Sequence, residues 1–410
     1  MITVVKHRLN RTENASEVYR KTRVRSRTPV AIHPSMAKDD RKKDTMFEFY
    51  KKAALLASAA VCTGAVPLRS SGGDAPSARA VVVLAGDVLP GVDGTHWYDR
   101  VLRQDGVRIF DGVAHLFRDA DAVVVNLEGV LSTRTLKVSK QFTFRGDPSF
   151  ARVLAKVGVR VATLGNNHAF DYGVPGFLDT RRTLQDAGIR CIGAGVNHAE
   201  AYTPAVLEIN GIRLGFLGFS DVIAGPVAGP DSPGLAWVRD ARWTGYVAEA
   251  RRMVDALFVT FHWGVERSSC ATDRQRLLGR AAVRAGADVV FGHHSHCVQD
   301  VEEYNGRPVY YGLGELAFYR GRREQILAVV TVERSTDGIV SITHRPVPIV
   351  IVDGRPRLDS VRVLPPVPVV RDAVFRSVDV PSASGGHVPA GVHEPDTGAL
   401  LQPSGDHEVY

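Results

Sequence analysis

The chain has 410 residues, 44% hydrophobic and 23% charged, which suffices for a large globular domain. Its formal net charge of +7 is unevenly distributed, because residues 1–52 hold 14 of the 51 Lys and Arg residues but only 6 of the 44 Asp and Glu residues. The rest of the chain is close to neutral and shows no basic stripe, so we expect no nucleic-acid partner.

The N-terminal region divides into two segments. Residues 1–45 are polar, basic and without periodicity, and are predicted to be a disordered or non-native extension, with Met46 as an alternative start. Residues 46–78 are interpreted as a candidate signal or anchor segment followed by a linker. The apolar run 53–66 is shorter than the about 20 residues of a membrane span, but it suits a signal-peptide core. An ordinary Ala-rich helix is the alternative, so both a membrane-associated or extracytoplasmic location and a cytoplasmic one stay open.

From residue 79 the pattern changes to that of an α/β domain, predicted to span residues 79–370. Val- and Ala-rich runs without alternation predict strands buried on both faces. These runs are 80–85, 122–125, 159–164, 257–261 and 287–291, and helical stretches lie at 150–157, 174–187, 246–254 and 273–285. Further strands, several of them alternating, predict a second and more antiparallel sheet. They lie at 213–218, 308–311, 325–333, 339–345 and 347–352. Residues 371–410 are predicted to be a flexible tail.

Each of the Val- and Ala-rich runs ends in a polar motif. In chain order the motifs are Gly86-Asp87, Asn126-Leu127-Glu128, Gly165-Asn166-Asn167-His168, His262-Trp263-Gly264 and Gly292-His293-His294-Ser295-His296. Binding sites of α/β sheets form outside the carboxyl ends of the strands, so we expect these side chains to converge. The histidine cluster favours a metal site over a solvated loop. In an extended loop His294 and His296 would point the same way and bind one ion.

The donor types indicate which metals the site would take. Carboxylate and amide oxygens together with imidazole nitrogens suit Mn²⁺, Fe or Zn²⁺ better than Ca²⁺. The four cysteines form no C-x-x-C pair, which argues against a structural zinc site. Cys297 directly follows the histidine cluster and is interpreted as a small buried side chain, with an accessory ligand as the alternative.

The order of the five motifs resembles that of the CapA family, the bacterial poly-γ-glutamate capsule-synthesis family, which is a branch of the calcineurin-like metallophosphoesterases. The resemblance covers roughly residues 80–350 and includes Asn167–Gly173, Gly193–Gly195 and Tyr311–Gly314. It implies an α/β fold in the form of a four-layer α-β-β-α sandwich of the metallophosphoesterase type. The metal site would lie at the carboxyl ends of the strands, along one edge.

The resemblance also implies roles for individual residues. It implies two divalent metal ions, Mn, Fe or Zn, with Glu128 as the carboxylate that bridges them. The implied metal ligands are Asp87, Glu128, Asn167, His262, His294 and His296. His293 is interpreted as lying behind the ligands.

The predicted catalytic residue is His168, oriented by Asp171, although Asp171 could equally be a helix N-cap. Asn126 and Glu266 are predicted to bind substrate.

Three departures from the family patterns bear on the site. Asp87-Val88-Leu89 lacks the histidine of the phosphatases' Asp-x-His motif, and Asn126-Leu127-Glu128 replaces their Gly-Asp-x-x-Asp. CapA relatives share both changes. Glu315 stands where CapA relatives usually have asparagine, and it is expected at the rim of the site, where it would alter substrate choice.

Two functions remain open. The first is a metal-dependent hydrolase of poly-γ-glutamate capsule biosynthesis or export, acting on a phosphoester or an amide-linked substrate. The second is a non-catalytic, metal-containing subunit that binds an anionic polymer within a membrane-bound complex, alongside other capsule-synthesis subunits.

Overall fold

The computed structural model describes residues 78–222, 224–318 and 321–371. The predictions for residues 1–45, 53–66 and the tail beyond residue 371 lie outside this part of the chain. The strands in it are β1 (Ala78–Val88), β2 (Ala122–Leu127), β3 (Val130–Leu131), β4 (Arg145–Gly146), β5 (Val159–Thr163), β6 (Arg190–Ile192), β7 (Ala194–Gly195), β8 (Ala205–Ile209), β9 (Ile212–Ser220), β10 (Gly234–Leu235), β11 (Ala256–His262), β12 (Val289–His293), β13 (Val301–Tyr304), β14 (Arg307–Tyr310), β15 (Glu315–Ala317), β16 (Arg322–Arg334), β17 (Val340–Val352), β18 (Arg355–Leu358) and β19 (Val369–Val370). The helices are α1 (Trp97–Asp105), α2 (Ala114–Arg118), α3 (Phe150–Lys156), α4 (Gly173–Asp186), α5 (His198–Ala201), α6 (Trp243–Arg251) and α7 (Asp273–Arg284), and a 3-10 helix spans Gly106–Phe110.

The first large sheet has a parallel centre and an antiparallel flank. Its strand order is β18-β17-β16-β1-β2-β5-β6, with β15 also beside β1. Strands β1, β2, β5 and β6 run parallel, whereas β16 to β18 are antiparallel to their neighbours. Residues 82–88 of β1 are buried throughout, as expected for a strand that is covered on both faces.

The second large sheet has the order β19-β13-β14-β12-β11-β9-β8. Its central strands β9, β11, β12 and β14 are parallel, so the predicted more antiparallel second sheet is wrong. The alternating strands β16 and β17 instead extend the first sheet. Both strands are antiparallel to their neighbours, as the alternation predicted, but an alternating pattern does not identify the sheet that a strand joins. Residues 340–352, predicted as two strands, form the single strand β17.

Three hydrophobic clusters hold these elements together. One cluster lies between the large sheets, since it joins Val82 and Val124 of the first to Phe216, Phe258 and Phe291 of the second. Another joins the first sheet to α1, α2, α3 and α4. A third joins the second sheet to α6 and α7. The described residues therefore form a mixed α/β fold with two large sheets and two small two-stranded ones, in agreement with the predicted class. Within them no helix is both long and apolar enough to cross a membrane.

The close approach of β1 to Gly314 requires glycine at residue 86. A Cβ atom there would lie 2.0 Å from the carbonyl oxygen of Gly314. This close approach lets the Asp87 amide donate a hydrogen bond of 2.8 Å to that same oxygen.

We expect Gly86→Ala to lower the free energy of unfolding by about 1–3 kcal/mol, because backbone must shift to admit the methyl group. Urea unfolding followed by circular dichroism measures the change. Gly245→Ala is the matched control, since a Cβ at this α6 position meets nothing within 4 Å. Equal unfolding midpoints for the two variants would contradict the close-approach explanation.

Candidate metal centre

The predicted site residues converge at the carboxyl ends of strands from both large sheets. Asp87 ends β1, Glu128 follows β2, and Asn167 and His168 follow β5 of the first sheet. His262 ends β11, while His294 and His296 follow β12 of the second. The site therefore lies at the carboxyl ends of the strands, where it was predicted, and it takes residues from both large sheets rather than from one. Parallel strands place these ends together, and packing of sheet on sheet brings the two sets into contact.

Two overlapping groups of donor atoms can hold a metal ion. The atoms of Asp87, Glu128 and His296 lie within 4.8 Å of one another, and so do those of Glu128, His262 and His294. Glu128 Oε1 lies 3.7 Å from His296 Nε2 and 3.8 Å from His262 Nε2. Glu128 thus belongs to both groups, which is the arrangement that a bridging carboxylate requires.

His294 and His296 do not converge on the same group, contrary to the expectation for an extended loop. Their φ angles are +91° and +53°, and their ring centroids are 6.4 Å apart. Positive φ is unfavourable for residues other than glycine and persists where surrounding contacts impose it. The Arg267 amide donates to Ser295 O, and Gln325 Nε2 donates to His296 O. The turned backbone directs one histidine to each group.

Several donor atoms of these groups are buried and have no hydrogen-bond partner among the described residues. They are Asp87 Oδ2, Glu128 Oε2, His294 Nδ1 and His296 Nδ1. His296 Nδ1 lies 3.1 Å from Asp87 Oδ2, but without the alignment of a hydrogen bond. Each such atom costs about 1–3 kcal/mol when it is left unsatisfied. Carboxylate oxygens and imidazole nitrogens in this state fit a divalent metal ion, which would satisfy them.

The charges around the two carboxylates favour a cation. Burial alone raises the pKa of Asp87, but His293 and His296 outweigh it and hold that pKa well below its usual value. Burial raises the pKa of Glu128 well above its usual value, and the charges of Asp87 and Glu266 add to this. Burial lowers the pKa of His296, but Glu128 and Asp87 outweigh it and raise the pKa to about 10. Positive charge is therefore stabilised between Asp87 and Glu128.

The other two histidines are held neutral. Burial, together with the charge of His296, lowers the pKa of His294 to about 4. Burial and His294 lower the pKa of His262 well below its usual value. Neutral imidazole is the form that binds metals, so both rings are ready to act as ligands near neutral pH.

The three asparagines at the site form a network with these donors. Asn167 Oδ1 lies 2.9 Å from His262 Nε2. Asn126 Nδ2 donates to Asp87 Oδ1 over 2.9 Å, and Asn166 Nδ2 donates to Asn126 Oδ1 over 2.9 Å. Asn126 is fully buried, so in this structure it holds Asp87 in place, and its role in substrate binding stays a prediction.

Glu266 is exposed beside the site. Its charge raises the pKa of both Glu128 and His294. It therefore lies close enough for its charge to reach both groups of donors.

His168 is held by Asp171 and by a lysine that the motifs did not reveal. His168 Nδ1 lies 2.7 Å from Asp171 Oδ2. Burial lowers the pKa of His168, and Asp171 opposes this shift. Lys140 Nζ donates to Asp171 Oδ1 over 2.9 Å and to Asn167 O over 2.6 Å. The alternative interpretation of Asp171 as an N-cap is wrong, because the N-cap position of α4 is taken by Tyr172.

Sequence reasoning missed two residues of the site, Asn166 and Lys140, and only the first of them lies in a recognisable motif. Asn166 is the first of the two adjacent asparagines in Gly165–His168. The motif drew attention to both, but it did not show that Asn166 bonds to Asn126 whereas Asn167 contacts His262. Lys140 lies in an irregular segment with no periodicity, so no local pattern points to it. His293, interpreted as lying behind the ligands, is fully buried with Nδ1 3.1 Å from Asp87 Oδ1.

Glu315 was expected at the rim of the site, but it is buried. It is 1% exposed and lies opposite Asp87 in the parallel pairing of β15 with β1. Glu315 Oε1 is 3.9 Å from His296 Nδ1, and Oε2 is 3.7 Å from Arg323 Nε. This carboxylate therefore adds negative charge inside the site.

Cys297 belongs to neither group of donors among the described residues.

Comparison with known proteins places the chain in a family. Residues 81–320 match the family described as bacterial capsule synthesis protein PGA_cap. The chain is 30% identical to the PGA biosynthesis protein CapA of Bacillus subtilis, covering 63% of this chain and 69% of that protein. It is 27% identical to the capsule biosynthesis protein CapA of Bacillus anthracis, covering 68% and 69%. A probable polyglutamine synthesis accessory protein of Mycobacterium tuberculosis is 28% identical, covering 48% and 55%.

Among solved structures, a hypothetical protein from Thermus thermophilus aligns with 65% of this chain and 99% of its own, at 16% identity and a TM-score of 0.40.

The match to the PGA_cap family model spans more than half of the chain. The chain therefore belongs to the bacterial capsule synthesis protein family PGA_cap, and the resemblance to CapA is confirmed.

We expect the double variant His294→Ala/His296→Ala to bind Mn²⁺ at least about tenfold more weakly than the wild type, because each group loses a donor. Elemental analysis after dialysis against Mn²⁺ measures the bound metal. His115→Ala is the control, since His115 is exposed in α2. Unchanged metal content in the double variant would remove the basis of both groups.

Proposed function

We propose that this member of the capsule synthesis family is a metal-dependent hydrolase of poly-γ-glutamate biosynthesis or export. Its substrate would be a phosphoester or an amide-linked compound related to the polymer. The observation that carries the proposal is the position of Glu128, whose carboxylate belongs to two groups of buried donors at once. A site that only stabilised the fold would need a single closed set of ligands.

The fold supports this proposal. We interpret the two sheets with a shared core, and the helices on their outer faces, as the four-layer α-β-β-α sandwich of the metallophosphoesterases. The CapA-like domain would span residues 79–370. Residues 1–45 would be an extension, residues 46–78 a signal or anchor segment with a linker, and residues 371–410 a tail. A membrane-associated or extracytoplasmic location goes with this assignment, since the relatives are capsule-synthesis proteins.

The chemistry follows from the donor set. Two divalent ions, Mn, Fe or Zn, would supply an activated water and polarise the attacked group. The residues that would hold them are Asp87, Glu128, Asn167, His262, His294 and His296. His168, fixed through Nδ1 by Asp171, would exchange a proton with the leaving group through Nε2. Lys140 keeps Asp171 in place, and Glu266 would contact the polar end of the substrate at the entrance.

A second candidate is a non-catalytic, metal-containing subunit that binds an anionic polymer in a membrane-bound synthesis or export complex. The burial of the donors favours it, because Glu128 and His262 are each only 1% exposed. A second observation also favours it. Leu89, which is fully buried and apolar, stands at the position of the histidine in the phosphatases' Asp-x-His motif.

We expect the full chain with Mn²⁺ to hydrolyse either a p-nitrophenyl phosphate ester or γ-glutamyl p-nitroanilide. His168→Ala would lower kcat by about 10²-fold or more, because proton transfer to the leaving group is lost. Its metal content would stay at the wild-type level, and His115→Ala would retain wild-type turnover. Absence of turnover of both substrates with every metal would exclude the hydrolase and leave the second candidate.

A further inference from the structure

A basic segment of irregular structure lies beside the metal centre. Residues 132–144, called here the basic loop, connect β3 to β4 without a helix or strand. Between Glu128 and Asp147 the sequence carries Arg134, Lys137, Lys140 and Arg145, and not a single Asp or Glu. The body of the chain is near neutral overall, so this run of one sign is a local feature.

The basic loop is attached to the metal centre at its inner end. The Val138 amide donates to Asp171 O over 2.9 Å, and Lys140 Nζ contacts both Asp171 and the backbone oxygen of Asn167. At the outer end Arg134 Nε lies 2.8 Å from Asp179 Oδ2 on α4. Both ends are therefore fixed by hydrogen bonds, and the residues between them form a defined surface.

A cavity of about 530 Å³ lies between the basic loop and the start of α4. Among the described residues, its lining combines two cationic side chains with apolar ones and includes no acidic residue. The residues that matter here are Arg134, Leu136, Lys137, Val138, Tyr172 and Pro175. Leu136 is 86% exposed, so its apolar surface is open beside the two cationic side chains. The cavity thus offers positive charge and apolar surface side by side.

We propose that this cavity binds a glutamyl polymer, a chain that carries one carboxylate per unit separated by methylene groups. Lys137 would pair with carboxylates, and so would Arg134, which stays half-exposed while its Nε contacts Asp179. Leu136 and Val138 would contact the methylenes. Lys140 joins the basic loop to Asn167 and Asp171, so a chain bound here would lie beside the segment that carries His168. The inference rests on the proposed function for the polymer class, and adds the surface that recognises it.

The test is binding of labelled poly-γ-glutamate to the full chain, followed by fluorescence anisotropy at low and high salt. We expect Lys137→Gln to weaken binding roughly fivefold and Arg134→Gln/Lys137→Gln further, with the effect reduced by salt. Leu136→Ser would also weaken binding, by removing apolar contact. Arg118→Gln/Arg160→Gln is the charge-matched control, because both arginines are exposed and lie toward the amino ends of β2 and β5.

Each outcome bears on the proposal. Weaker binding by the loop variants, with wild-type metal content and unchanged binding by the control, supports it. Wild-type affinity in the loop variants overturns the role of the basic loop and leaves the proposed function standing. No binding of the polymer by the wild type overturns this inference together with the polymer part of the proposed function. Equal competition by inorganic polyphosphate overturns the assignment to a glutamyl chain.

Discussion

Two buried carboxylates, Asp87 and Glu128, set the requirements that the rest of the site meets. Taking a carboxylate out of water costs several kcal/mol unless positive charge or hydrogen bonds compensate. His293 and His296 supply part of this compensation to Asp87, and Asn126 donates a hydrogen bond to it. Within the described part of the chain, Glu128 Oε2 has no hydrogen-bond partner. A divalent cation shared through Glu128 would complete the compensation that the side chains begin.

The backbone around these carboxylates is built for close approach. Gly86 allows the carbonyl of Gly314 to reach the Asp87 amide, which also brings Glu315 opposite Asp87. In the second sheet a Cβ at Gly292 would lie 2.2 Å from both Trp263 Nε1 and Tyr311 O. Glycine there lets the Trp263 indole donate to Tyr311 O over 2.8 Å. These contacts place the histidines after β12 against the carboxylates of the first sheet.

Much of the site could be predicted from sequence because its signals are local. Each predicted ligand lies at or just after the end of a run of buried residues, and parallel strands bring such positions to the same end of a sheet. The separation of His294 from His296 could not be predicted, since it depends on positive φ angles imposed by Arg267 and Gln325. The burial of Glu315 and the position of Lys140 depend on contacts between distant segments. The position of β16 and β17 in the first sheet could not be predicted either, because periodicity does not show which strands pair with each other.

The central claim is that Glu128 is shared by two ion sites between the sheets. Anomalous diffraction from crystals of the full chain soaked in Mn²⁺ tests it directly. We predict two peaks, one beside Asp87 and His296 and the other beside His262 and His294, with Glu128 contacting both. A single peak, or peaks that Glu128 does not contact, would contradict it.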